Sequence, residues 1–265
     1  MDFLTEIMAL KRARLARSKR ERAAEDLRVE AEKSRSLAQA HALRAALEDR
    51  DRINIIAEFK RASPSKGVIR ADAEAAQMAR SYEAGGAAAV SVLTEEDRFQ
   101  GSLDDLRSVR AAVKLPVLRK DFIFEEYQVY ESAAAGADAL LLIVAALADE
   151  TLEHLRRVTE DELEMDALVE VHTREEMTRA LGAGATLVGV NNRDLRSFKV
   201  SLDTSVELVQ NAPAECLLVA ESGLSSAADL RRLRALGYTG FLIGETLMRS
   251  TEPERELRKL LSRKS

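Results

Sequence analysis

The chain has 265 residues, with 40 Lys and Arg against 45 Asp and Glu for a net charge of −5, a balance that argues against a nucleic-acid binder. Apolar residues make up 46% and aromatics 4%, with no Trp, enough for a sizeable aliphatic core and too much for global disorder. A single Cys216 excludes a disulfide framework or cysteine zinc site, and His41, His154 and His172 lack metal-ligand spacing.

Residues 1–52 are rich in Ala, Arg, Glu and Leu and hold no Gly or Pro. They are expected to form two or three helices, an N-terminal extension packed on whatever follows. Phe3, Ile7 and Leu10 share one helix face, as do Leu43 and Leu47. The basic run Lys11–Arg22 reads as a solvated face balanced by the acids after it. The N-terminus shows no signal-peptide apolar core, and no apolar run approaches the ~20 residues of a membrane span. A cytoplasmic chain with no membrane partner is expected.

From residue 53 the texture changes. Short aliphatic runs begin at Asn54, Ala88, Pro116, Ala139, Asp166, Leu187, Leu217 and Gly240, ending respectively at Lys60, Thr94, Asp121, Ala145, His172, Arg193, Gly223 and Thr246. Their mean spacing is about 27 residues, the length of one βα unit. Continuous rather than alternating apolar character means strands covered on both faces, hence a parallel sheet. Gly86, Gly136, Gly184 and Gly237 stand where helices close before the next strand. Eight such units predict an α/β fold, a (βα)8 TIM barrel over 53–265 forming one domain with the helical extension. An open doubly wound sheet is the alternative, disfavoured because no Gly-x-Gly-x-x-Gly follows the first strand.

Polar residues gather at the C-terminal ends of these strands, where barrel active sites sit. They are Glu58 and Lys60, Thr94 and Glu95, Lys120 and Asp121, Glu170 and His172, Asn191 to Arg193, Glu221 and Ser222, and Glu245. Any one of them could be an ordinary loop polar group. So many charged groups ending aliphatic strands point to a site, because a buried charge must be paired or used. The loop Ser63-Pro64-Ser65-Lys66-Gly67, together with Ser222-Gly223 and Gly244 at the last two strands, favours a phosphorylated small molecule held by backbone N–H groups.

The segments IAEFKRASPSKG (56–67), SVLTEEDRFQGS (91–102), LPVLRKDFIFEEYQVYESAAAGADALLLI (115–143), ALVEVHTREEM (167–177), VGVNNRDLRSF (188–198), AESGL (220–224) and LIGETLM (242–248) closely resemble the indole-3-glycerol-phosphate synthase family, in the family's order over roughly three quarters of the chain. The resemblance implies ring closure of 1-(2-carboxyphenylamino)-1-deoxyribulose 5-phosphate with loss of carbon dioxide and water, a step of tryptophan biosynthesis. No cofactor and no metal are expected, since the sequence offers no metal constellation; no fused isomerase domain is expected, since the chain ends soon after the eighth strand; and a monomer with at most weak self-association is expected. Lys120 matches the acid that protonates the ketone, and Glu170 the carboxylate that accepts or returns protons during dehydration. Lys60 matches a second lysine that pairs an anionic group of the substrate or shuttles a proton itself. Glu58 and Asn191 match groups that orient the substrate and hold the departing hydroxyl, and Arg193 lies toward the anthranilate end. Ser63, Ser222, Gly223, Gly244 and the following Glu245 match the phosphate cradle. Some members carry Ser where Glu245 stands, so its carboxylate is expected to turn away and leave its N–H to bind. Phe122 and Phe99 are candidates for the wall against the aromatic ring, with core packing an equal alternative for Phe99. With Lys60 and Lys120 facing each other beside Glu58 and Glu170, a lowered lysine pKa and a raised glutamate pKa are expected. The competing readings are a phosphoribosylanthranilate isomerase, which needs a Cys where this chain has none at a strand end, and a non-catalytic binding barrel.

Overall fold

All eight aliphatic runs form parallel strands in the computed structural model of the chain, which describes residues 3–262. They are β1 (Asn54–Phe59), β2 (Ala89–Leu93), β3 (Val117–Lys120), β4 (Ala139–Ile143), β5 (Asp166–Val171), β6 (Leu187–Asn191), β7 (Leu217–Glu221) and β8 (Gly240–Ile243). Neighbours pair in chain order, and β8 returns to β1 through Asn54↔Gly240 and Ile55↔Phe241 to close the barrel. Each strand stops one to three residues before its run in the sequence ends. Glu58, Lys120, Glu170, Asn191 and Glu221 are the last or next-to-last residues of their strands, and Lys60, Thr94, Asp121, His172, Arg193 and Ser222 follow in the loops.

Three helices, α1 (Phe3–Glu21), α2 (Ala24–Arg35) and α3 (Ala42–Leu47), precede the barrel. The crossovers carry α4 (Ala75–Gly85), α5 (Leu103–Ala112), α6 (Glu126–Ala134), α7 (Asp149–Arg157), α8 (Arg174–Gly182), α9 (Asp203–Leu208) and α10 (Ala227–Leu236), and α11 (Glu245–Arg249) and α12 (Pro253–Leu261) follow β8. Several crossover helices start on a hydroxyl cap. Ser102, Thr173 and Ser226 accept the N–H groups of Asp105, Glu176 and Asp229 at the starts of α5, α8 and α10, satisfying donors that a helix end otherwise leaves open. The chain leaves α4, α6, α8 and α10 near Gly86, Gly136, Gly184 and Gly237, all at positive φ.

The core has two layers. One fills the space between strands and crossover helices. The other is the barrel interior, where Ile56, Leu118, Leu141, Leu168, Leu187, Leu217 and Leu242 meet. The N-terminal extension completes this inner layer from both ends. Leu43 and Leu47 of α3 enter beside the strand starts, while Ile7 and Met8 of α1 meet Phe122 at the mouth.

The orientation of α1 differs from the expected face. Ile7, Met8, Lys11 and Leu15 are buried, whereas Leu10 is 36% exposed. The helix is rotated to bring Lys11 inward, where its Nζ lies 2.7 Å from Asp121 Oδ2 and 2.9 Å from Glu96 Oε2. Lys11 is therefore not part of a solvated face. Other partners of this basic run lie in barrel loops, Arg14 binding Asp97 at 2.7 Å and Lys19 pairing with Glu125, while Arg22 pairs with Glu30 of α2, one of the acids that follow.

Candidate active site

The mouth at the strand C-termini is built around two lysines in separate carboxylate settings. At the end of β1, the Lys60 ammonium pairs with Glu58. At the end of β3, Lys120 donates to Glu170 Oε2 at 3.0 Å and to Glu221 Oε2 at 2.7 Å, reaching across the barrel to β5 and β7. Asn191, ending β6, hydrogen-bonds to Glu170, and His172 Nε2 lies 3.4 Å from Glu170 Oε1. The three glutamates are at most 2% exposed.

This arrangement reverses the expected lysine shift. Burial opposes the Lys120 charge, but Glu170, Glu221 and Glu58 more than offset it and raise the pKa above the usual lysine range. Burial also works to raise Glu170, yet Lys120, His172 and Asn191 prevail and hold it well below the usual carboxyl range. Glu221 goes the other way: burial lifts it to about 7, against the pull of Lys120 and with repulsion from Glu170 adding to the rise. The raised glutamate is thus Glu221 rather than Glu170. Sequence reasoning placed Glu221 at a strand end without giving it a role. One signal for it exists in the sequence, the glycine within β6. A Cβ at Gly189 would lie 2.2 Å from Glu221 Oε1, so only glycine leaves room for that carboxylate.

Around Lys60, the side of the mouth formed after β7, β8 and β1 is made largely of backbone. Ser222 (φ 63) and Gly223 (φ 78) are consecutive left-handed residues, and such strain in a non-glycine residue, about 1–3 kcal/mol, tends to collect at functional sites. Gly244 is needed for close approach, since a Cβ there would sit 2.1 Å from Glu58 Oε2 and 3.0 Å from Lys60 Nζ. Ser63 pairs with Gly67 in a short antiparallel ladder, and its carbonyl accepts the N–H of Lys66. The Glu245 carboxylate is drawn to Arg249 at 3.1 Å and Lys66 at 4.0 Å. Arg193 donates to Ser65 Oγ at 3.1 Å and to the Phe198 carbonyl at 3.2 Å, clipping two loops together.

The third side is apolar. Phe122 is buried, and Phe3 of α1 meets it edge-on at 6.3 Å between centroids and meets Phe198 at 5.4 Å. Neither Phe3 nor Phe198 was singled out from the sequence as a site residue. All thirteen expected site residues, Phe99 included, line one cavity together with Glu221, Phe3 and Phe198. Asp121 and Glu95, also strand-end acids, are engaged structurally. Asp121 is held by Lys11, Arg119 and Thr94, and Glu95 accepts the N–H groups of Asp97, Arg98 and Phe99. Among the described residues, Glu95, Glu96 and Asp97 form one carboxylate group close enough to hold a cation. Its members are already taken, Glu96 by Lys11 and Asp97 by Arg14. Cys216 is buried just before β7, away from the mouth, and burial raises its thiol to about 11.

The family model described as Indole-3-glycerol phosphate synthase matches residues 4–260. The chain belongs to the indole-3-glycerol phosphate synthase family. It is 44% identical over 264 residues to the indole-3-glycerol phosphate synthase of Carboxydothermus hydrogenoformans, covering 98% of this chain and 100% of that protein. It is 47% identical over 262 residues to the one from Syntrophobacter fumaroxidans, covering 98% and 97%. The 3-hexulose-6-phosphate synthase structure from Salmonella typhimurium aligns with a TM-score of 0.63 at 13% identity, covering 78% of this chain and 96% of that one, which shows the shared barrel alone. Membership makes the chain an enzyme of the carboxy-lyase class in tryptophan biosynthesis, and the isomerase and non-catalytic readings fall away.

Proposed function

We propose that the chain closes the indole ring of indole-3-glycerol phosphate from 1-(2-carboxyphenylamino)-1-deoxy-D-ribulose 5-phosphate. The observation that carries the assignment of roles is Lys120, held fully charged between Glu170 and Glu221 at the floor of a cavity with an aromatic side and a backbone side. The ammonium protonates the ketone oxygen as the ring carbon bearing the carboxylate attacks, and carbon dioxide departs with its bonding electrons left to restore the ring. The hydroxyl so formed leaves as water, with Glu170 as the acid–base group and Asn191 and Glu58 orienting it. Lys60 anchors an anionic group of the substrate. Ser63, Ser222, Gly223, Gly244 and the Glu245 N–H cradle the phosphate, Arg193 holds the anthranilate end, and Phe122, Phe99 and Phe3 flank its ring. The same reading has a cytoplasmic monomer that works without a cofactor. Incubation with the carboxyphenylamino-deoxyribulose phosphate, following indole absorbance and carbon dioxide release, tests it. Folded protein that yields neither product sinks the reading.

A further inference from the structure

The proposed reaction has a net proton requirement. Ring closure places one proton on the ketone oxygen, and dehydration places a second on the departing hydroxyl. Forming the indole double bond returns one, from the methylene carbon beside nitrogen. Carbon dioxide carries none away, so conversion of the substrate carboxylate draws one proton from solvent per turnover. The mouth is filled by substrate at that stage, and Glu170 is 2% exposed.

His172 can hold that proton ready beside Glu170. Its backbone N–H donates to Glu176 Oε2 at 2.7 Å and its Nδ1 lies 3.1 Å from the same oxygen. Glu176 therefore accepts from both and fixes the ring. Nε2 then faces Glu170 Oε1 at 3.4 Å and is a buried nitrogen with no other partner. A neutral ring protonated at Nδ1 would set its Nε2 lone pair against a carboxylate oxygen. A proton must stand between Nε2 and Glu170, on one or the other. Around the ring, Glu170 on β5, Glu176 on α8 and Glu221 on β7 all favour the imidazolium, with Lys120 behind Glu170; together they override burial and raise the pKa. Neither His172 nor Glu176 lines the substrate cavity, yet their side chains keep 11% and 17% of their exposure. The route from His172 to the mouth runs through Glu170, which does line the cavity.

We propose that His172, clamped between Glu176 and Glu170, is the proton store of the active site and passes to Glu170 the one proton that each turnover consumes. The Nε2–H bond breaks as a Glu170 Oε1–H bond forms, the electron pair remains on Nε2, and Nε2 regains a proton through Glu170 when product leaves and solvent refills the mouth. This rests on the reading of Glu170 given above. Steady-state kinetics of the wild type, His172→Ala and His172→Gln, between about pH 6 and 9 with graded imidazole, provide the test. His172→Ala is expected to lose kcat by ~10²-fold with KM little changed, and added imidazole to restore it in proportion to its protonated fraction. His172→Gln, which fills the space without titrating, stays slow and gains nothing from imidazole. Wild-type kcat in His172→Ala, or a slow alanine variant that imidazole does not speed, overturns the proposal. A wild-type protein with no turnover overturns the functional reading instead. Nitrogen-15 NMR of the native ring gives a check free of variants: titration above the ordinary imidazole midpoint is expected, and titration at or below it refutes the store.

Discussion

Lys60 and Lys120 share one mouth but sit in different company, and that difference separates their roles. Lys120 touches two carboxylates and is held charged. Replacing it by Met keeps the stem and deletes the proton, so kcat should fall ~10²–10⁴-fold with KM little altered. Lys60 pairs with Glu58 beside Gly244 on the phosphate side. An ion pair to substrate exists in ground and transition states alike, so Lys60→Met should chiefly raise KM. Equal losses of kcat in both, with KM unchanged, would reverse the assignment. Glu221 gives a prediction of opposite sign for stability and activity. Its folded pKa, about 7, stands above the usual 4.5, so unfolding releases a proton between those values and stability declines as pH rises through that window. Glu221→Gln removes the effect. The variant should be more stable than wild type at pH 8 by roughly 1–3 kcal/mol, lose that gain by about pH 4.5, and turn over more slowly; urea unfolding at both pH values and kcat measure the two sides. Lys120, Glu170 and Lys60 were legible in the sequence because each ends an aliphatic strand within a distinctive motif. Glu221 ends one too, but its role depends on Lys120 and Glu170 reaching it across the barrel, and no local pattern encodes that.

At the scale of elements, α1 is latched to the loop after β3 by a buried lysine. Asp121 Oδ2 takes Lys11, Thr94 and Arg119, while Oδ1 accepts the N–H of Phe122. One carboxylate thus joins the helix that carries Phe3 to the loop that carries Phe122, directly after Lys120. Removing one partner of a buried pair strands the other, so Lys11→Met should cost about 3 kcal/mol by chemical denaturation, with Lys11→Arg milder. The pKa of Asp121 is lowered, so the stability it contributes is present above the ordinary aspartate range, starts to be lost below it, and is gone once pH falls through the lowered folded-state value. The Met variant's deficit should accordingly shrink in acid, as protonated Asp121 no longer needs its partner. A deficit independent of pH would mean that packing, not charge, makes the latch. Periodicity alone missed this contact. It assigns a lysine to solvent, and the carboxylate that draws Lys11 inward stands far along the chain. The same pull rotates the helix and leaves Leu10 outside.

Over the whole molecule, the barrel was readable because each unit repeats an aliphatic run and a helix, and four of the connections add a left-handed Gly before the next strand. What repetition cannot show is how the extension closes the two ends. Leu47 of α3 packs into the floor of the barrel, within van der Waals reach of Gly240. Phe3 of α1 stands in the roof, against Phe122 and Phe198. In this fold the end at the strand starts serves stability and the end at the strand C-termini serves chemistry. One helical segment therefore contributes to both. Leu47 is fully buried, and truncation to Ala leaves a cavity that should cost about 2–5 kcal/mol while kcat and KM stay at wild-type values below the melting transition. Phe3 is only partly buried, so Phe3→Ala should change stability by less than about 1 kcal/mol yet raise KM several-fold, through loss of one wall of the aromatic side. Unfolding curves and steady-state kinetics on both variants decide it. If Leu47→Ala lowers kcat as much as it lowers stability, floor and roof are coupled through the barrel interior, and the extension acts as a single catalytic element rather than as two separable closures.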